Sequence, residues 1–290
     1  MKLKSYLEGI YNDHELSLIN SFWLERDVVL NKIIDVQNFL KDCDNESLTF
    51  KKAGPHRIDD WENGWAGQGI TNEFDDFPNI PYYFKKNTHV RLGKGIYEDI
   101  TGLTELCLLR TIQDVAFSSN ILKNVNSIVE YGCGTGHNLT YLKSQKNYEL
   151  YGADWAQSAV EKLVENKIVK YGNAFKVDYF KPETYISPNE PFIAFTNASL
   201  EQSGTNYKDF MNFLFKNDSC HGGIHIEPIS DLVQPIHPLN ISSINYTDKR
   251  GYLEGFYNFM KNSNMTILQA NDYGIGSKFL SGYQLLIWSK

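Results

Sequence analysis

Residues 127–139 read Ser127-Ile128-Val129-Glu130-Tyr131-Gly132-Cys133-Gly134-Thr135-Gly136-His137-Asn138-Leu139. An apolar, strand-forming run passes into three glycines at alternate positions and then into a helical pattern. Glycine lets the backbone turn left-handed and come close to a ligand, and the first N–H groups of the helix that follows point at that ligand. Strand, glycine turn and helix in that order make the first βα unit of a doubly wound α/β sheet, which binds its ligand outside the carboxyl ends of the strands.

The glycine spacing decides between ligands. A dinucleotide fingerprint is GxGxxG, whose last glycine lets the helix pack under a pyrophosphate. Positions 132, 134 and 136 give GxGxG instead. Glu130 through Gly136 resembles motif I of the class I S-adenosylmethionine-dependent methyltransferases, in which an acid at the strand end precedes the glycines. Three later segments resemble further motifs of that family, in its order. Tyr148 to Asp154 is a second strand ending in an acid 18 residues beyond Gly136, close to the offset at which a carboxylate accepts ribose hydroxyls. Trp155 next to it is placed by the resemblance against adenine. Ala174 to Pro182 resembles the third motif, where Asp178 receives the adenine amino group and Tyr179 flanks the ring. Pro191 to Gln202 resembles the fourth strand and its loop, which in many small-molecule methyltransferases ends in Leu-Glu-His. Here Gln202 stands where that His would be, which removes an obvious proton acceptor.

The resemblance implies a doubly wound, mostly parallel, seven-stranded Rossmann-like α/β sheet with an antiparallel last strand, plus an N-terminal helical and irregular lid region. It divides the chain into residues 1–125, a lid and substrate-recognition region, and residues 126–290, the methyltransferase domain. It implies S-adenosyl-L-methionine as cofactor, held by Glu130, Gly132, Gly134, Gly136, His137, Asp154, Trp155, Asp178, Tyr179 and Asn197. Each piece alone has a plainer meaning, since a glycine turn is often only a turn and an acid after a strand only a helix cap. Activity is a separate claim from fold.

Composition narrows the partners. The 290 residues, 42% hydrophobic, are enough to bury a substantial core. The net charge is −7, which disfavours a nucleic-acid substrate. Four scattered cysteines, Cys43, Cys107, Cys133 and Cys220, show no metal-ligand spacing and suit a reducing compartment. Met1 to Glu8 lacks the apolar core of a signal peptide, and no segment approaches the ~18 apolar residues of a membrane span. The expectation is a cytoplasmic protein with no membrane partner and no metal.

In the N-terminal region, Asp13 is positioned to cap a helix running to about Asp42, with an apolar stripe from Leu16 to Leu40. That stripe can pack on the chain's own core or form a homodimer through the N-terminal helices. Residues 53–97 keep no clean period. Asp59, Asp60, Glu62, Glu73, Asp75 and Asp76 are interleaved there with Trp61, Trp65, Phe74 and Phe77, a composition that would hold a cationic amine or be a solvated acidic loop. Lys85, Lys86, Arg91 and Lys94 then invert the charge, with Arg91 the candidate for gripping an oxyanion. Thr104 opens a helix leading into the first strand.

Beyond Asp154 the pattern gives helices at 156–167, Tyr207 to Lys216 and Asp248 to Lys261, while His221 to Pro228 resembles the family's fifth strand, and Met265 to Ala270 and Ser281 to Trp288 resemble its last two, paired antiparallel at the sheet edge. Methyl transfer is an in-line displacement, so the protein supplies alignment and, where the nucleophile is protonated, a base. Glu201, after the fourth strand, and Glu227, closing the fifth, are the first candidates, with His89 and His56 offered from the lid. The reading is methyl transfer to O or N of a small molecule, a sugar or secondary-metabolite precursor being suitable. The alternatives are a protein side-chain methyltransferase and a non-catalytic cofactor-binding scaffold.

Overall fold

The computed structural model describes every residue except 68, 72, 73, 75, 76, 185–187, 280 and 281, and the side chain of 184. From the N-terminus the chain forms α1 (Lys4–Leu7), α2 (Asp13–Leu18), α3 (Ser21–Leu24), β1 (Leu30–Lys32), α4 (Val36–Ser47), α5 (Ile58–Ala66), β2 (Thr88–Leu92), β3 (Gly95–Asp99) and α6 (Thr104–Phe117). Strands and helices then alternate: β4 (Ser127–Tyr131), α7 (His137–Gln145), β5 (Glu149–Asp154), α8 (Gln157–Glu165), β6 (Ala174–Lys176), β7 (Phe192–Asn197), α9 (Tyr207–Lys216) and β8 (Cys220–Glu227). The end of the chain adds α10 (Pro238–Arg250), α11 (Phe256–Lys261), β9 (Thr266–Asn271), β10 (Ile275–Gly276) and β11 (Gln284–Ser289).

The main sheet has the order β6-β5-β4-β7-β8-β11-β9. Its first five strands are parallel, and β11 is antiparallel to both β8 and β9. The order reverses at β4, whose successors β5 and β6 lie on one side while β7 and β8 lie on the other, so a crevice opens at the carboxyl ends of β4 and β7. These strands read as apolar runs because both faces are covered. Ile128, Ile193, Phe195 and Ile224 join Leu106, Leu109 and Ile112 of α6 in one core. Val129, Tyr131 and Ala194 face Phe210 and Leu214 of α9 in another. Emptying a site such as Phe195 to alanine costs about 3–5 kcal/mol.

The N-terminal region departs from its sequence pattern. The expected continuous helix from Asp13 to about Asp42 is instead α2, α3, β1 and the start of α4. Local hydrogen bonding breaks it: Asn12 and Glu15 form a capping box, Asn20 accepts from the Phe22 N–H, and Asp35 accepts from the Asn38 N–H. The β-branched run before Leu30 feeds a second, antiparallel sheet of order β1-β3-β2-β10, in which Ile275 and Gly276 pair with Leu92 and Arg91. Part of the segment expected to be irregular is helical as α5, while Glu73, Asp75 and Asp76 lie outside the described residues. The helix expected over Asp248 to Lys261 is two, because Gly251 ends α10 with φ of 67° and Gly255 precedes α11 with φ of 70°. Among the described residues no helix is long and apolar enough to cross a membrane.

Candidate active site

The carboxyl ends of the central strands open into a cavity of about 710 Å³. Its floor is the glycine turn, with φ of 73°, 51° and 74° at Gly132, Gly134 and Gly136. A Cβ on Gly132 would lie 2.3 Å from Ser199 Cβ, and one on Gly136 would lie 2.4 Å from Leu163 Cδ2. The first glycine therefore lets the turn meet the loop after β7, and the last lets α7 pack against α8. At Gly134 the neighbour is the Trp65 ring, 2.9 Å from such a Cβ, so a residue of α5 lies over the turn.

Asp154 ties the turn to β5. Its Oδ2 accepts the Gly134 N–H at 2.8 Å and its Oδ1 the Ala156 N–H at 2.9 Å. Burial raises its pKa to about 6, against the pull of those donors. Each oxygen keeps acceptor capacity for a further donor. Trp155 and Tyr179 line the same cavity, and the Tyr179 hydroxyl lies 3.1 Å from Ser199 Oγ. Asn197 also lines it, and both Asn197 Oδ1 and Trp155 Nε1 are buried with no partner among the described residues. Such unmet polar atoms are unfavourable until something hydrogen-bonds to them.

Three expected cofactor residues do not line the cavity: Gly136, which is taken up in packing against Leu163, Glu130 and Asp178. Glu130 is 1% exposed and accepts from Asn138 Nδ2 at 2.7 Å; burial pushes its pKa up to about 8. It thus anchors the first turn of α7. Asp178 is half-buried and its Oδ1 accepts the Phe180 N–H at 2.9 Å.

A buried network behind His137 was not read from the sequence. Arg110 of α6 donates to Asn138 Oδ1 at 2.9 Å and to the His137 carbonyl at 3.1 Å, and its Nη2 lies 3.0 Å from His137 Nδ1. Burial, and then the guanidinium, push His137 well below the usual imidazole pKa, so the ring is neutral and Nδ1 accepts. Burial also lowers Arg110 to about 10. The signal was an arginine and a glutamine, Arg110 and Gln113, inside an otherwise apolar helical stripe.

The three candidate bases part company. Glu201 lines the cavity, whereas Glu227 lies beneath the loop, fully buried. Glu227 accepts the backbone N–H groups of Ser199, Leu200 and Glu201 at 3.1–3.3 Å, which fixes the turn carrying Glu201. Burial, and then the adjacent Glu201 carboxyl, raise Glu227 well above the usual carboxyl range. Glu201 Oε2 is buried with no hydrogen-bond partner among the described residues. Gln202 Nε2 donates to Glu201 Oε1 at 3.0 Å and to the Tyr252 hydroxyl at 3.3 Å. His89 lines the cavity too, its pKa lowered by burial and its ring 5.0 Å from Phe39. His56 is exposed and off the cavity.

The charged segments of the N-terminal region also resolve. Asp60 pairs with Lys51 and Arg57, and Glu62 accepts the N–H groups of Gln157 and Ser158 at 2.7 and 3.0 Å. Helix α8 is preceded by Ala156, whose methyl cannot cap it, so Glu62 of α5 supplies the cap and these two carboxylates are engaged. Arg91 is buried, bonded to the Gly93 carbonyl and to Asn240, and so is not open to an oxyanion. A cavity carboxyl the pattern did not reveal is Glu105 of α6, which accepts from the Tyr283 hydroxyl at 2.6 Å and whose pKa burial raises to about 7.

The strand order, the reversed β11 and the glycine turn after β4 together are the class I S-adenosylmethionine-dependent methyltransferase fold. No protein-family model matches the chain, and no curated protein matches it significantly. Among solved structures it is similar to the plantazolicin methyltransferase BpumL in complex with a pentazolic desmethylPZN analog and SAH, at 16% identity over 60% of this chain and 80% of that one, with a TM-score of 0.36. The cyclase SpnF shares 11% identity over 83% of this chain and 96% of its own, TM-score 0.46. Fibrillarin of Aeropyrum pernix, solved with natively bound S-adenosyl-L-methionine, shares 13% over 67% and 78%, TM-score 0.42.

Proposed function

We propose that the chain is an S-adenosylmethionine-dependent methyltransferase acting on oxygen or nitrogen of a small molecule. The observation that carries this is the glycine turn held by Asp154 at the floor of a cavity with unmet polar atoms on Trp155 and Asn197. Those residues suit the cofactor. Asp154 retains lone pairs for ribose hydroxyls, Trp155 and Tyr179 offer ring faces for a base, and Asn197 Oδ1 is an acceptor for an ammonium. When bound, S-adenosylmethionine supplies a methyl group on a sulfonium, electrophilic enough that alignment does most of the work. Residues 126–290 carry the cofactor in this reading, and residues 1–125 form the lid and acceptor platform.

Glu201 is the residue we assign to take the acceptor's proton, because it alone of the carboxyl pair faces the cavity. Glu227 is a positioning residue, holding the Glu201 turn through three backbone N–H groups. His89 stands further out and serves the acceptor. The protein side-chain alternative drew on six acids, of which Asp60 and Glu62 are already engaged within the chain. Gln202, replacing an imidazole, favours one second reading, a scaffold that binds cofactor without turnover. The two separate on incubating the protein with methyl-labelled S-adenosylmethionine and fractionated metabolite extract. Turnover predicts label in an acceptor and matching S-adenosylhomocysteine, reduced about 100-fold in Glu201→Gln with cofactor binding kept. Bound cofactor with no transfer from any fraction leaves the scaffold.

A further inference from the structure

Part of the cavity wall is an aromatic slot whose rings meet mostly edge to face, with a cation among them. Arg250 ends α10, where the helix dipole favours positive charge. Its guanidinium carbon lies 5.5, 5.8 and 4.9 Å from the ring centroids of Phe50, Tyr246 and Tyr252. Phe279 extends the wall, stacked on Tyr246 at 5.3 Å with planes 10° apart. All five residues line the cavity.

The guanidinium is held but not neutralised. Nη1 donates to the Tyr246 hydroxyl at 3.1 Å, while Nε is buried with no hydrogen-bond partner. Among the described residues no carboxylate forms an ion pair with it, in contrast to the neighbouring Arg57, paired with Asp60 at 2.7 Å, and Lys278, paired with Glu46 at 2.6 Å. Aromatic faces stabilise a cation by roughly 0.5–2 kcal/mol but fill none of its N–H directions in the ring plane. A planar five-donor fork left with open directions is suited to a carboxylate or phosphate.

The link to the reacting end is short in bonds. Tyr252 touches Arg250 and accepts from Gln202 Nε2, which also donates to Glu201 Oε1. An acceptor spanning this row has its oxyanion at Arg250 and its nucleophile at Glu201. The other cavity acids do not oppose this. Glu46 is paired with Lys278, and burial raises Glu105 to about 7, which weakens its charge near neutrality.

We infer that the methyl acceptor is a ring-bearing molecule carrying a carboxylate or phosphate, which Arg250 holds within the slot of Phe50, Tyr246, Tyr252 and Phe279. This rests on the proposed function for the role of acceptor, though the oxyanion subsite stands without it. The test uses benzoate, phenyl phosphate and neutral benzamide as probes, titrated calorimetrically into the full chain with and without saturating S-adenosylhomocysteine. At least one anion is expected to bind about tenfold or more tightly than benzamide, and the tighter anion identifies the group. Arg250→Gln is expected to weaken that anion about tenfold or more, leaving benzamide and S-adenosylhomocysteine within about twofold. Arg250→Lys, which keeps the charge but loses the fork, is expected to fall between them. Benzamide binding as well as the anions, anion affinity unchanged in Arg250→Gln, or no anion binding to the wild-type chain would each overturn the inference. Anion binding through Arg250 with no S-adenosylhomocysteine binding would instead sink the methyltransferase reading and leave an oxyanion site.

Discussion

The glycine turn and the aromatic slot line one cavity but are built differently. In the turn, backbone does the work: Gly132, Gly134 and Gly136 adopt conformations that other residues resist, and one carboxylate, Asp154, fastens the turn through the Gly134 N–H. The local sequence dictates almost all of it. In the slot, side chains do the work, and they come from positions 50, 246, 252 and 279, brought together only by tertiary packing. The contrast implies that the turn tolerates few substitutions and the slot many, as suits a constant cofactor and a variable acceptor.

The sharpest way to break that contrast is Gly132→Ala. With φ at 73° and a Cβ 2.3 Å from Ser199 Cβ, the substitution should cost about 2–4 kcal/mol in urea unfolding and abolish detectable S-adenosylhomocysteine binding. A loss below about 1 kcal/mol with binding kept would mean the turn is no more constrained than the slot.

Glu105 bears on the side-chain half. Its pKa, about 7 in the fold against 4.5 unperturbed, means that the folded state binds the proton more tightly. This contribution to stability is present below pH 4.5 and lost as pH rises toward 7 and beyond. Between pH 5 and pH 8 the wild type should therefore lose on the order of 2 kcal/mol more than Glu105→Gln does. Parallel pH profiles of the two in chemical denaturation would show that the carboxyl is already ionised or solvated in the fold.

The smallest effect concerns α5, whose Trp65 lies over the glycine turn. Burial works to raise the Glu62 pKa, but hydrogen bonds from Ser158 and Gln157 outweigh it and lower it. Glu62→Ala should cost about 0.5–1 kcal/mol and speed amide exchange across α5, with S-adenosylhomocysteine affinity changed by less than about threefold. Unchanged exchange would mean that α5 is held by Trp61 and Trp65 alone.

Legibility in the sequence follows the same division. The succession of strands and helices from β4 to β8 was readable because glycine spacing and apolar runs are local signals, and Asp154, Trp155, Tyr179 and Asn197 all fall on the cavity. The N-terminal sheet was not, since Asn12, Asn20 and Asp35 break a helical stripe by capping that a period count does not see. The strand that completes this sheet, β10, comes from the far end of the chain. Arg110, Glu105 and Arg250 escaped for a related reason: each is one polar residue on a helix, and its meaning comes from partners distant in sequence.

The measurement that bears most directly on the central claim is calorimetric titration of S-adenosylhomocysteine into the wild-type chain and into Asp154→Ala, with folding of both checked by circular dichroism. If the turn after β4 and Asp154 form the nucleoside site, the wild type binds and the variant binds about 10–100-fold more weakly. Equal binding by the two, or no binding by the folded wild type, would contradict it.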